Sequence, residues 1–572
     1  MLRSKFGVAL AAAAIVLAGC AGIPTSGQVI AHDEIDSAGR AGPFVGGEVQ
    51  GPEPGQAPEE IVDGFFEAMN FYESNYATAR EYLTSEAALA WDPDVVTTIY
   101  RAEPITEPTA PNQVGVRLSV WATVQAQREF ERAPAGMVQE HVLQLDEVDG
   151  EWRIDNPPPG LIIRDADFNE EFAAYDLFFY EPGFQALVPD SVYLPVRGPL
   201  ATLLAQKLLD GPSPRLEAAV DTAFPERTEL AVDAVAVTDG EADVKLTDDA
   251  LRANSAQRDQ MVVQLAWTLG RHSDVEQVTV HGGQVVLGQS PTRTFPDSDP
   301  VSSRALSLFA VTDEGVVQVD DNRVVTPVAG PLGQHPSVEE VAVDPRMSQA
   351  VVVDEGRTTL KWSELTPDAG VEIIAQGQAL RSPSVDLTGL AWVIEGTGES
   401  SRLLVASPGS EPAVVPLGAL DGNGLDGSRL DAVAVAPDGT RIALVADGTV
   451  YLGVIVRADY PFEVRVGQLV SIDHAEVSRH AVDIAWNQYD QLAVLTAVEV
   501  QNEMAQRAWI FTLNGRMPGS PAGVIDGAQS LTANWRANHQ LAAGGEDHVY
   551  VQEPKTLTWR LVAGIRRPAY PG

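Results

Sequence analysis

The spacing of apolar residues changes repeatedly along this chain, and each change marks a boundary. Phe6 to Ala18 is an uncharged run of 13 residues, mostly Ala, Val, Leu and Ile, behind Arg3 and Lys5. A hydrocarbon core of ~30 Å takes about 20 apolar residues, so this shorter run reads as the core of a signal peptide covering residues 1–19. Residues 20–57, rich in Gly, Pro, Ala and acids, hold neither a 3.6 nor a 2.0 period and read as a flexible tether, about 35 Å in span. Order is expected from Pro58, a favoured first helical residue, with Glu59 and Glu60 complementing the helix dipole. Ile61, Val62, Phe65, Phe66 and Met69 then share one helical face, and further helices are expected around Tyr76–Leu83 and Val95–Ile99. From Val114 the period becomes 2.0, through Val116, Leu118 and Val120, parts of Met137 to Leu145, and Glu151 to Ile154. Residues 58–168 are therefore an α+β domain.

A second α+β unit spans residues 173–290. It opens with strands at Asp176–Tyr180 and Leu187–Tyr193, then a helix at Pro199–Leu209 that Gly211 and Pro212 stop. Leu230–Val237 and Ala242–Leu246 flank Asp239-Gly240 as a hairpin. A helix through Val263 and Leu269 and a last pair of strands, joined by Gly282-Gly283, complete it.

Residues 301–572 repeat. Ala310, Ala350, Ala391, Ala443, Ala493 and Ala542 each stand inside an apolar strand followed by a turn and another strand, in steps of 40, 41, 52, 50 and 49 residues. A period of 40–50 with about four short strands per unit predicts a β-propeller of about six blades. The alanines are expected on inner strands, where crowding near the axis excludes larger side chains. Ala310 has no strand before it within its domain, because Pro291 to Pro300 is polar linker. The final "IRRPAYPG" resembles the strand before Ala391, "LRSPSVD", and is expected to supply the missing piece and close the ring.

Charge narrows the partners. With 80 acidic against 38 basic residues, net −42, and no basic stripe, the chain repels phosphate backbones, and nucleic acid is excluded. The single cysteine, Cys20, ends Leu17-Ala18-Gly19-Cys20 directly after the apolar run. That motif resembles the lipobox of bacterial lipoproteins, which implies a diacylglycerol on the Cys20 sulfur, a further acyl chain on its amine, and anchoring to the extracytoplasmic face of the cell membrane. Two or more acyl chains hold a protein stably at a bilayer.

The search for chemistry finds none. Gly422 to Gly427 matches G-x-G-x-x-G, but Leu430 to Ala436 alternates like a strand where a dinucleotide site needs a helix. Asp421, Asn423 and Asp426 lack the alternate spacing and terminal Glu of an EF-hand loop. The nine histidines, His272 and His281 among them, form no metal motif. No G-x-S-x-G occurs, and acidic pairs such as Asp248-Asp249 are ordinary in so acidic a chain. Trp392, Trp486 and Trp535 recur beside the repeat alanines and read as propeller packing. No catalytic residue, metal or cofactor is expected.

In the N-terminal domain the element order resembles the NTF2-like cone. In the second unit Leu194-Pro195-Val196-Arg197, Leu208 to Pro212, Ala223-Phe224-Pro225, Gln264 and Trp267-Thr268-Leu269 resemble the GerMN domain of envelope lipoproteins and spore germination proteins. Lipobox, α+β domain, GerMN-like unit and propeller, in that order, resemble the actinobacterial lipoprotein LpqB family. That resemblance implies an accessory protein of an MtrAB-type two-component system. Its partner would be the extracellular domain of the sensor histidine kinase, and its role cell-envelope homeostasis and division. A cell-wall glycan or peptide binder is the alternative.

Overall fold

The structure is a computed structural model. It describes residues 50–572, apart from 127, 135, 272–273, 293–306, 321–323, 419–424, 426–427, 459–462, 473–476, 478–479, 501–502, 514–519, 536–539 and 554–557. Cys20, His272 and nearly all of the 422–427 glycine motif lie outside the described residues.

In the first domain the helix Pro58–Met69 forms as its pattern predicts, with Ile61, Val62, Phe65, Phe66 and Met69 all buried. The Glu60 carboxylate accepts the Ala57 N–H at 2.8 Å and so fixes the first turn. Packed order begins before Pro58, since the Tyr82 hydroxyl donates to the Gln50 carbonyl at 2.9 Å. The helix covers a curled sheet whose strands run in the order Glu151–Ile154, Val138–Val148, Gln113–Gln125, Val96–Tyr100, Leu161–Arg164. Two expectations fail here. Val96–Tyr100 is a strand rather than a helix, because Val96, Thr97, Thr98 and Ile99 are β-branched in succession and favour extended backbone. The helix of this region is Ser85–Ala90 instead, capped by the Thr84 hydroxyl, which accepts the Ala87 N–H. The segment around Tyr76–Leu83 contains only the five-residue helix Ala77–Glu81.

In the second domain the strands Phe172–Tyr180 and Leu187–Pro195 form a hairpin. The helices Leu200–Leu209 and Ser255–Gly270 pack with it and with a sheet ordered Ala236–Thr238, Glu241–Leu246, Gln277–Gly282, Val285–Pro291. The expected first hairpin strand shrinks to Ala236–Thr238, while Leu230 keeps only an isolated bridge to Leu246. Asp239 (φ 51) and Gly240 (φ 79) take the left-handed backbone that a two-residue hairpin turn requires. The GerMN-like residues act as internal fastenings. Gln264, fully buried, accepts the Ala223 N–H at 3.0 Å, and Thr268 accepts the Phe178 N–H at 3.2 Å.

The rest is six four-stranded antiparallel blades, one of which carries an extra short strand. Arg566–Ala569 pairs with Leu308–Val311 and becomes the innermost strand of the first blade, so the ring closes as expected. The other innermost strands are Val338–Val343, Arg381–Val385, Leu430–Val435, Ala481–Gln488 and Ser530–Ala533. The six repeat alanines each lie on the second strand of their blade, behind the innermost one, as a strand before each requires, but the expected reason for them does not hold. All six are fully buried between adjacent blades, in clusters such as Ala350 with Phe309 and Val311. Face-to-face blade packing, not crowding at the axis, selects the small side chain. Trp392, Trp486 and Trp535 are buried, and their indole N–H groups are bonded to Asp386, the Ala434 carbonyl and the Pro571 carbonyl.

The three domains share buried polar contacts. Arg128 of the first pairs with Asp190 of the second at 3.0 Å. The Tyr489 hydroxyl of the propeller donates to Asp176 of the second at 3.1 Å, and at the exposed rim of this junction Arg346 of the propeller donates to Gln185.

Candidate functional site

The six innermost strands run parallel to one another around the axis and pair with no neighbouring blade, so their axis-side edges would leave N–H and C=O groups unmatched. Side chains supply the links. Glu340 accepts the Ser382 N–H at 2.6 Å. Ser382 and Ser384 accept the N–H groups of Val433 and Val435, and Trp486 donates to Ala434. Asp483 accepts the Leu531 N–H at 2.7 Å, Thr532 accepts the Tyr570 N–H at 2.8 Å, and Arg566 donates to the Val338 carbonyl. The ring is stitched at every blade-to-blade step.

Inside it lies a cavity of about 360 Å³. Its two mouths differ. The loops from innermost to second strand carry Arg346 and Tyr489, which touch the second domain. At this end Gly572 donates to the Val343 carbonyl, and a Cβ added to it would stand 2.7 Å from Trp535 Nε1 and 3.3 Å from Pro437. The last residues thus lie across this mouth. At the opposite mouth, where the innermost strands begin, the cavity is lined by Arg357, Arg381, Arg567, Glu340, Asp431 and Asp483. Three cations balance three anions in a chain whose acids outnumber its bases by about two to one.

The backbone builds this mouth with irregularities. The pairing register shifts between Val338 and Glu340, Arg381 and Ser384, Leu430 and Ala432, Ala481 and Asp483, and where Arg566–Ala569 meets the first blade. A bulge re-aims side chains and breaks the alternation that would otherwise send neighbours to opposite faces. Ser382 (φ 51) and Arg567 (φ 47) hold left-handed backbone, which costs a non-glycine residue of order 1 kcal/mol.

Most of the charge is internally paired. Arg357 bridges Glu339 at 2.7 Å and Glu340 at 2.9 Å, Arg567 reaches Glu339 at 3.3 Å, and Arg429 holds Asp431 at 2.8 Å. Burial works against the Arg357 charge, but Glu340 and Glu339 hold its pKa above the ordinary value. Two groups differ. Arg381 donates to the carbonyls of Ala379, Gly396 and Leu430, has no carboxylate within ion-pair distance among the described residues, and is pushed down by burial. Asp483 accepts the N–H groups of Leu531 and Ile484, has no cation within that distance among the described residues, and is pushed up to about 7, chiefly by burial. No sequence motif marked this mouth, because bulges bring its charges together from five blades.

The residues weighed on sequence have other roles. His281 pairs with Asp243 at 3.0 Å and Asp249 with Arg252 at 2.8 Å. No His, Asp or Glu group able to hold a metal ion occurs among the described residues.

Two α+β domains joined through buried contacts to a six-bladed ring define a multidomain β-propeller protein. Residues 51–169 match the family described as "Lipoprotein LpqB, N-terminal domain", residues 176–282 "Sporulation and spore germination", and residues 314–571 "Lipoprotein LpqB beta-propeller domain". Curated proteins named Lipoprotein LpqB are similar over nearly the whole chain. The Streptomyces coelicolor protein is 29% identical over 98% of this chain and 96% of its own, and the Thermobifida fusca protein 26% over 100% and 99%. The Mycobacterium tuberculosis protein is 25% identical over 76% of this chain and 77% of its own. The chain belongs to the LpqB lipoprotein family, whose named members here carry no enzymatic title.

Proposed function

We propose that this chain is a lipid-anchored envelope protein, held at the extracytoplasmic face of the cell membrane by Cys20. It acts without catalysis, as an accessory of a two-component sensor kinase of the MtrAB type in envelope homeostasis and division. The observation that carries this reading is the family's domain set joined through buried polar contacts, Arg128 with Asp190 and Tyr489 with Asp176. A body so joined, tethered close to the bilayer, presents a fixed surface to the extracellular part of a membrane protein. Confinement raises the effective concentration, so a weak interface suffices. No helix among the described residues is long and apolar enough to cross a membrane, which leaves the lipid at Cys20 as the anchor in this reading.

Cys20→Ser is expected to release the exported protein from membranes; a variant still membrane-bound after high salt contradicts the anchor. The net charge of −42 leads to a second expectation. The full chain should bind the kinase's extracellular domain with an on-rate that falls as salt rises. Absence of binding at every ionic strength refutes the partner.

A further inference from the structure

The propeller's open mouth has a charge pattern that the internal ion pairs do not use up. Arg381, on the third blade, and Asp483, on the fifth, both line the cavity, and each is held in place by backbone groups rather than by a countercharge. A fixed guanidinium and a fixed carboxylate with their geometry already set lose little freedom when a ligand arrives. The remaining lining charges cancel locally through Arg357 with Glu340 and Arg429 with Asp431. A ligand of net negative charge would satisfy Arg381 but set an uncompensated charge against Asp483. A net cation would satisfy Asp483 and meet the reverse at Arg381. Only a molecule bearing both signs fits the balance.

We propose that this mouth binds a short zwitterionic peptide, its carboxylate on Arg381 and its ammonium on Asp483. The cavity, about 360 Å³, is at the small end of ligand pockets, a size suited to two or three residues. Its far end, crossed by Pro571 and Gly572, holds the ligand at the charged mouth. A glycan fits less well. Sugars stack on open aromatic faces, whereas Trp486, Trp535 and Tyr570, the aromatic residues at the cavity, are no more than 6% exposed. The register shifts at Arg381 and Asp483 also acquire a purpose, since a regular strand would not turn these side chains to the lumen. The site is independent of the kinase reading and survives its failure.

The test is calorimetric titration of the full-length chain in detergent with alanyl-alanine, N-acetyl-alanyl-alanine, alanyl-alanine amide and N,N′-diacetylchitobiose. Alanyl-alanine is expected to bind, and blocking either end to weaken binding about tenfold or more, the size of one lost charge-assisted hydrogen bond. Arg381→Gln should erase the difference between alanyl-alanine and its amide while keeping the difference from the N-acetyl form. Asp483→Asn should do the reverse. A merely structural role predicts no such exchange. If a variant does not fold, the probe series on the parent chain still decides. No heat with alanyl-alanine at millimolar concentration, equal affinity for all three peptides, or preferential binding of the chitobiose overturns the proposal.

Discussion

Removal of Ile565–Gly572 is expected to unfold the propeller rather than trim it. Arg566–Ala569 is the innermost strand of the first blade, so its loss opens the ring at the axis and bares an edge of Leu308–Val311. Ile565 and Tyr570 are 2% and 6% exposed, and burying such side chains stabilises by about 1.5–3 kcal/mol each. The bonds from Trp535 Nε1 to the Pro571 carbonyl at 2.7 Å and from the Tyr570 N–H to Thr532 at 2.8 Å go too, at about 1 kcal/mol apiece. The total, about 5 kcal/mol or more, approaches the whole stability of a typical domain. The truncated chain should melt at least ~10 °C lower or lose the propeller's transition altogether. Trp535→Phe, which loses one of these bonds, should lower the midpoint by only a few degrees. An unchanged melting curve for the truncation would show that the strand contributes nothing to closure.

That strand was legible because repetition made its absence from the first blade visible. Ala310 has the spacing of the other five alanines and lacks what precedes them, and the only unspent strand of the right pattern was "IRRPAYPG". The reason for the alanines, by contrast, was misread. A period locates a recurring position without saying which side of it faces the axis, and the fully buried alanines proved to serve blade stacking. The first domain shows another limit. Val95, Val96 and Ile99 fit a helical spacing, but the threonines between them carried the deciding preference for extended backbone. The channel mouth could not be read at all. Glu340, Arg381, Asp431, Asp483 and Arg567 span more than two hundred residues, and their convergence depends on bulges that leave no motif.

Stability is expected to fall as pH rises from about 4 to 8, through the junction of the second domain and the propeller. Asp490 sits in the hairpin turn of the fifth blade beside Tyr489, whose hydroxyl donates to Asp176 across the junction. Burial first, and then the Asp176 charge, push Asp490 up to about 7, against the pull of Arg441 and Arg271. Neither arginine is fully available to it. Arg441 is engaged by Asp438 and the Tyr489 carbonyl, and the Arg271 guanidinium stands 4.7 Å over the Tyr489 ring. One Asp490 carboxylate oxygen, Oδ1, is buried with no hydrogen-bond partner among the described residues. A carboxyl whose folded pKa lies above its unfolded one adds stability that is complete below the unfolded value and is lost as pH climbs through the folded value. A loss on the order of 1 kcal/mol or more between pH 4 and 8 is therefore expected. Asp490→Asn should therefore raise the urea midpoint at pH 8, leave it nearly unchanged at pH 4, and flatten the slope. Asp483 contributes a separate slope, since it too is pushed up to about 7, and Asp490→Asn leaves that part in place. Tyr489→Phe, by contrast, should cost about 1.5–3 kcal/mol at neutral pH, because it deletes the hydrogen bond to the Asp176 carboxylate and leaves Asp490 in place. Parallel midpoint-against-pH curves for the parent and Asp490→Asn would show that the junction does not carry the pH dependence.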